Sequence, residues 1–193
     1  MNTATAQPHL HVDDDQVIAA IQRWLEKAVI GLNLCPFAKS VYVKNQIRYV
    51  VSNANTPEAL LEQLMDELQL LADTDAEKID TTLLIHPFVL TDFLDYNEFL
   101  EVADAAVEDM HLDGELQVAS FHPDYQFAET DQNDITNFTN RAPYPILHLL
   151  REDSVERAVD AFPEASDIFE KNQATMQELG HDGWDALDVG PVK

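Results

Sequence analysis

The stretch TTLLIHP, residues 81–87, decides how this chain folds. Thr81 to Ile85 are β-branched or leucine throughout, a run too short for a helix and suited to a strand. Pro87 brings no backbone N–H, so pairing ends there and His86 stands at the strand's carboxyl end. Upstream, Thr56-Pro57-Glu58 opens a helix: Thr56 can cap it, Pro57 suits its first position and Glu58 meets the positive end of the dipole. That helix aligns Leu60, Leu61, Leu64, Leu68 and Leu71 on one face, and before it IRYVVS (47–52) has strand composition. Downstream, Asn97 to Met110 is amphipathic through Phe99, Val102, Ala103, Ala106 and Val107, Gly114 supplies a turn, and Leu116 to Phe121 (LQVASF) is another strand followed by His-Pro. Strand, helix, strand, helix, strand implies crossover connections and strands that share a direction.

The outer parts complete the plan. Val17, Ile21, Trp24, Leu25, Ala28 and Leu32 predict a first helix that starts near Asp14 or Asp15, either able to cap it, and stops before Pro36. Ile146 to Leu150 (ILHLL) can add a fourth strand. Asp153 with Glu156 resembles a capping box, and a last helix is expected from about Ser166 to Leu179 with Gly180 as its C-cap. The expected fold is α/β: a single domain, residues 14–184, of three to four mainly parallel strands with crossover helices and two C-terminal helices. Residues 1–13 and 185–193 are expected as tails.

In 193 residues, 36 acidic side chains oppose 11 basic ones, a formal net charge of −25. Such a field repels phosphate backbones and anionic lipid, so neither nucleic acid nor membrane is an expected partner. No apolar run reaches the length of a bilayer span, the N-terminal stretch lacks a basic and an apolar signal region, and one cysteine allows no internal disulfide; the expected location is cytoplasmic. Basic residues are clustered: Arg23, Lys27, Lys39, Lys44 and Arg48 face only Glu26 in that window, whereas Ile79 to Asn140 has no Lys or Arg.

Chemistry concentrates at segment ends. His86 and His122 each close an apolar strand and precede proline; at the carboxyl edge of a parallel sheet, where open α/β folds take ligands, they could serve as acid/base groups or metal ligands, or simply bond loop backbone. Cys35 lies within the basic cluster, where Lys39 could favour a thiolate, or it is a small buried hydrophobe between Leu34 and Phe37. Cys35, His86, His122 and His148 have zinc- or iron-binding chemistry without the close spacing of a readable metal site, and His148 stands inside an apolar run suited to a core. The loop from Asp124 to Pro145 is too long and aromatic for a plain connector; Tyr125, Arg141 and, beyond it, Arg151 are candidate contacts to an anion, with pairing to Asp131, Asp134 or Glu152 as the structural alternative. The sequence names no cofactor, metal or oligomeric state.

GLNLCPFA (31–38), IHPF (85–88), SFHPDYQF (120–127) and NRAPYPILHLLRE (140–152) together resemble the bacterial family catalogued as domain of unknown function 1415, from about Val17 to Trp184. The resemblance implies a small bacterial cytoplasmic protein and carries over no catalytic role.

Two functions fit these residues. One is an enzyme acting on a small anionic molecule, with Cys35, His86 and His122 as catalytic groups, Arg141, Tyr125 and Arg151 as binding groups, and the 124–145 loop as a lid. The other is a non-catalytic interaction or regulatory protein with an acidic surface; only 5 glycines and no phosphate-loop or nucleophile-elbow motif favour it.

Overall fold

The structure is a computed structural model that describes residues 13–161 and 167–192. Helix α1 (Asp14–Trp24) is capped by Asp13, whose side chain accepts from the Asp15 amide, and continues as one widened π-helical stretch, Leu25–Ile30. A short helix α2 (Ala38–Val43), which periodicity does not announce, leads to strand β1 (Ile47–Val51). Helix α3 (Pro57–Asp73) starts from the Thr56 cap with Pro57 in its first turn, and strand β2 is Thr81–Ile85. Helix α4 (Phe93–Asp109) begins a turn earlier than hydrophobic spacing alone suggests, because Asp92 caps the amides of Leu94 and Asp95. Strand β3 is Leu116–Phe121; a 3-10 turn (Ile135–Asn140) precedes strand β4 (Ile146–Arg151). Helices α5 (Glu152–Ala161) and α6 (Ile168–Ala186) follow. Gly180, at φ 64°, breaks the regular winding of α6 where a C-cap was expected, and the chain resumes a helical path beyond it. The expected start of this helix at Ser166 lies outside the described residues.

The four strands form one sheet in the order β1-β2-β4-β3. β1 pairs with β2 in parallel, while β4 is antiparallel to both neighbours, so β1, β2 and β3 point one way and β4 the other. The mainly parallel sheet expected from the sequence is therefore mixed. Its reason is in the loop: residues 122–145 contain no crossover helix, so the chain leaves β3 and re-enters β4 at the same edge. That edge gathers the carboxyl ends of β1, β2 and β3, and Arg151, at the far end of β4, falls at the opposite one.

Each face of the sheet has its own core. Leu84, Leu147, Leu149 and Leu116 meet α3 and α4 through Leu60, Leu64, Leu68, Tyr96, Phe99 and Ala103. Leu83, Ile85 and Ile146 meet α1 and its π-helical continuation through Val17, Ile21, Trp24, Leu25 and Ala28. Three of the five clustered basic residues make structural contacts: Arg23 donates to the Asp188 and Gly190 carbonyls and Lys27 to the Leu187 carbonyl. Arg48 forms a two-pronged pair with Glu67 at 2.8 and 3.0 Å. The segment after Trp184 is thus tied down rather than trailing, with Val189 buried. No helix among the described residues is long and apolar enough to cross a membrane.

Candidate functional site

At the carboxyl edge, the organising residue is Tyr96, set by the first turns of α4. It is fully buried, and its hydroxyl donates to the Ile146 carbonyl (2.7 Å) and accepts from the Phe121 amide (3.1 Å), clasping β3 to β4. His86 stacks on its ring at 5.8 Å between centroids and His122 lies against it at 5.0 Å. Phe93 packs on His122 and Tyr125.

Hydrogen bonds fix both imidazoles. The Val89 carbonyl, 2.9 Å from His86 Nδ1, can only accept, so the proton sits on Nδ1. Nε2 is then a lone pair, buried and without a partner among the described residues. His122 Nε2–H donates to the Leu90 carbonyl (3.2 Å), and its Nδ1 accepts from the Asp124 amide (3.0 Å), which uses both nitrogens. Burial pushes His86 down to about 4 and lowers His122 too, the latter opposed by the Leu90 carbonyl and by Asp124 and Asp92. Neither ring has exposed surface, and both are neutral at pH 7, so neither is an open proton carrier. Arg141 donates to the carbonyls of Tyr125 (3.2 Å) and Gln132 (2.7 Å) and covers the Phe138 ring at 4.2 Å. With Asn137, which joins Phe127, Thr130 and Asp131, and Asn140, which reaches the Ser120 carbonyl, it braces the loop. These bonds tie the loop to itself and to the end of β3.

The opposite face of the sheet holds a pocket of about 260 Å³. Its walls are apolar: Trp24, Leu25 and Val29 from the first helix, Phe37, Ala38 and Val41 around α2, Leu83, Ala119 and Phe121 from the sheet, and Val155 and Ala158 from α5. Alternation in the strands puts His148, Ala119 and Thr81 on this face, because β-strand side chains point up and down in turn. His148 Nε2 is 2.7 Å from Thr81 Oγ1, and that hydroxyl is itself 2.7 Å from the Leu149 carbonyl. Thr81 has one proton and the carbonyl needs it, so His148 donates from Nε2 and keeps Nδ1 as a lone pair. Nδ1 has no hydrogen bond among the described residues, and the ring forms part of the pocket wall. Although the ring's edge opens on the pocket, the surrounding protein takes it out of bulk water and pushes His148 down to about 4. At the rim, Ser154 donates to Asp80 (2.6 Å) and Arg157 donates to Ser154 (2.9 Å).

The candidate residues thus divide. His86, His122, Tyr125 and Arg141 share the carboxyl edge. Cys35 does not join them: it lines the pocket on the other face with His148. Burial raises the Cys35 thiol, outweighing the amides of Phe37 and Ala38, so the expected thiolate is not favoured. The four Cys and His donors are split between two faces, and no group of three or more His, Cys, Asp or Glu able to hold a metal exists among the described residues. Arg151 lies at the opposite edge from Arg141 and donates to the carbonyls of Leu71 (2.6 Å), Thr74 (2.5 Å) and Ile79 (3.0 Å), closing the end of α3. Neither Arg141 nor Arg151 makes an ion pair with Asp131, Asp134 or Glu152 among the described residues; both bond carbonyls instead. Sequence reasoning missed Tyr96, because it placed the helix start one residue after it, and Thr81, which reads as a plain strand residue. The Asp92 cap was the signal that would have included Tyr96.

No curated protein and no solved structure matches the chain. One family model does, over residues 16–186, and by it the chain belongs to the family described as "Protein of unknown function (DUF1415)".

Proposed function

We propose that this protein binds a small, predominantly apolar molecule in the pocket between the sheet and α1, α2 and α5, and acts by holding or sensing it rather than by turning it over. The observation that carries this reading is the make-up of the pocket. Aromatic and aliphatic walls from four separate parts of the chain surround one inward polar pair, Thr81 and His148, with further polar groups at the rim. Ligand sites have this composition. A binding role is supported by the chemistry of Cys35 and His148, since burial disfavours both a thiolate nucleophile and a protonated imidazole acid. Naphthalene is a suitable probe, and Ala119, on the pocket floor, is the control position. Titration calorimetry is expected to show one naphthalene site that Ala119→Phe abolishes without unfolding the protein; equal binding to both proteins refutes the reading.

A second reading, an enzyme for a small anionic substrate at the carboxyl edge, is favoured by one observation: Arg141 donates only to backbone carbonyls and pairs with no acid among the described residues. Tyr125 would stand beside its site, with His122 and His86 buried behind it. Succinate or inorganic phosphate at millimolar concentration should then shift the Arg141 Nε resonance, and no shift removes this reading.

A further inference from the structure

Resting on the pocket being a binding site, we infer that its ligand is a neutral apolar alcohol or phenol of roughly ten non-hydrogen atoms, whose hydroxyl donates to Nδ1 of His148. The size follows by scaling from the ~150 Å³ cavity that accepts benzene to the 260 Å³ available.

The polarity follows from one proton. Thr81 Oγ1 must donate to the Leu149 carbonyl, which has no proton of its own. It therefore receives the Nε2 proton of His148, and Nδ1 is left able only to accept. Burial keeps the ring neutral at pH 7, so it does not convert to a donor. A ligand offering only a carbonyl or ether oxygen would set two lone pairs against each other, while a hydroxyl completes the chain of bonds from ligand to His148 to Thr81 to Leu149. Burying an ion against Leu25 and Val29 costs solvation that these walls do not return, and an anion also meets Asp80, which lines the pocket. A carboxylate meets, in addition, a protein of net charge −25. Thr81 is in this scheme a positioning residue: it fixes which nitrogen faces the ligand and need not touch it.

The test compares 2-naphthol with two probes of similar shape, 2-methylnaphthalene, which has no polar group, and 2-methoxynaphthalene, which only accepts. The full chain should bind 2-naphthol about tenfold more tightly than 2-methylnaphthalene, against the order of their transfer from water, and should bind 2-methoxynaphthalene most weakly. His148→Phe keeps an aromatic ring without the acceptor nitrogen and should reverse the first preference. If that variant does not fold, the Thr81 pair decides. Thr81→Ser retains the preference, whereas Thr81→Val loses it and changes the imidazole nitrogen shifts of His148. Equal affinity for 2-naphthol and 2-methylnaphthalene overturns the hydroxyl assignment while leaving the pocket as a binding site. No binding of any of the three overturns both.

Discussion

His86 and His148 sit in protein as neutral rings with values pushed down to about 4, against about 6.5 in an unfolded chain. Between those values the unfolded chain carries more protons, so stability is full above pH 6.5 and falls as pH drops toward 4, by on the order of 3 kcal/mol for each ring. Urea unfolding at pH 7 and pH 5 is expected to show the larger part of this loss, and His148→Phe should remove part of the slope; a pH-independent midpoint across that window contradicts it. Tyr96→Phe leaves the Phe121 amide and the Ile146 carbonyl without their buried partner and is expected to cost about 1–3 kcal/mol. The position of the histidines was legible in the sequence, since His86 and His122 close β2 and β3, whose ends share one edge on either side of β4. Their bonding was not, because the carbonyls that absorb their protons, Val89 and Leu90, are main-chain atoms of a turn that no side-chain pattern marks.

The helices and strands were the more readable level, where a cap or a period acts locally. Thr56-Pro57 and the TTLLI run appear as read, whereas the short α2 has no buried residue of its own and so leaves no hydrophobic period to detect. The direction of β4 depends on what connects it to β3, a loop whose path is set by Asn137 and Arg141, and strand composition carries no such information. Gly31, at the end of the π-helical stretch, has a requirement beyond flexibility: a Cβ there would lie 2.3 Å from the Lys27 carbonyl oxygen. Gly31→Ala is therefore expected to destabilise by about 1–3 kcal/mol, read in the denaturation midpoint, and an unchanged midpoint would contradict the close approach. Arg151→Ala withdraws a guanidinium from three carbonyls at the end of α3 and should cost about 2 kcal/mol, with faster amide exchange near Thr74 as the local sign.

Over the molecule as a whole, two forces of different range meet. The excess of acids repels itself at low ionic strength, so raising NaCl from about 0.01 to 0.15 M is expected to raise the Tm, while a lower Tm would show that short-range pairs dominate. Against that repulsion Arg23, Lys27, Arg141 and Arg151 work through backbone carbonyls, the first two where they hold the C-terminal segment over the core containing Trp24. Packing two helical layers on one thin sheet leaves a gap where α1, α2 and α5 diverge, and that gap is the pocket. The sequence could not show it, since its walls come from Trp24, Phe37, Ala119 and Val155, far apart in the chain. The most direct test is chemical-shift mapping of 2-naphthol on isotope-labelled protein. The perturbed resonances should be those of Trp24, Cys35, Ala119, Phe121 and His148. Shifts confined to His122, Tyr125 and Arg141, or none at all, would contradict a binding pocket on this face.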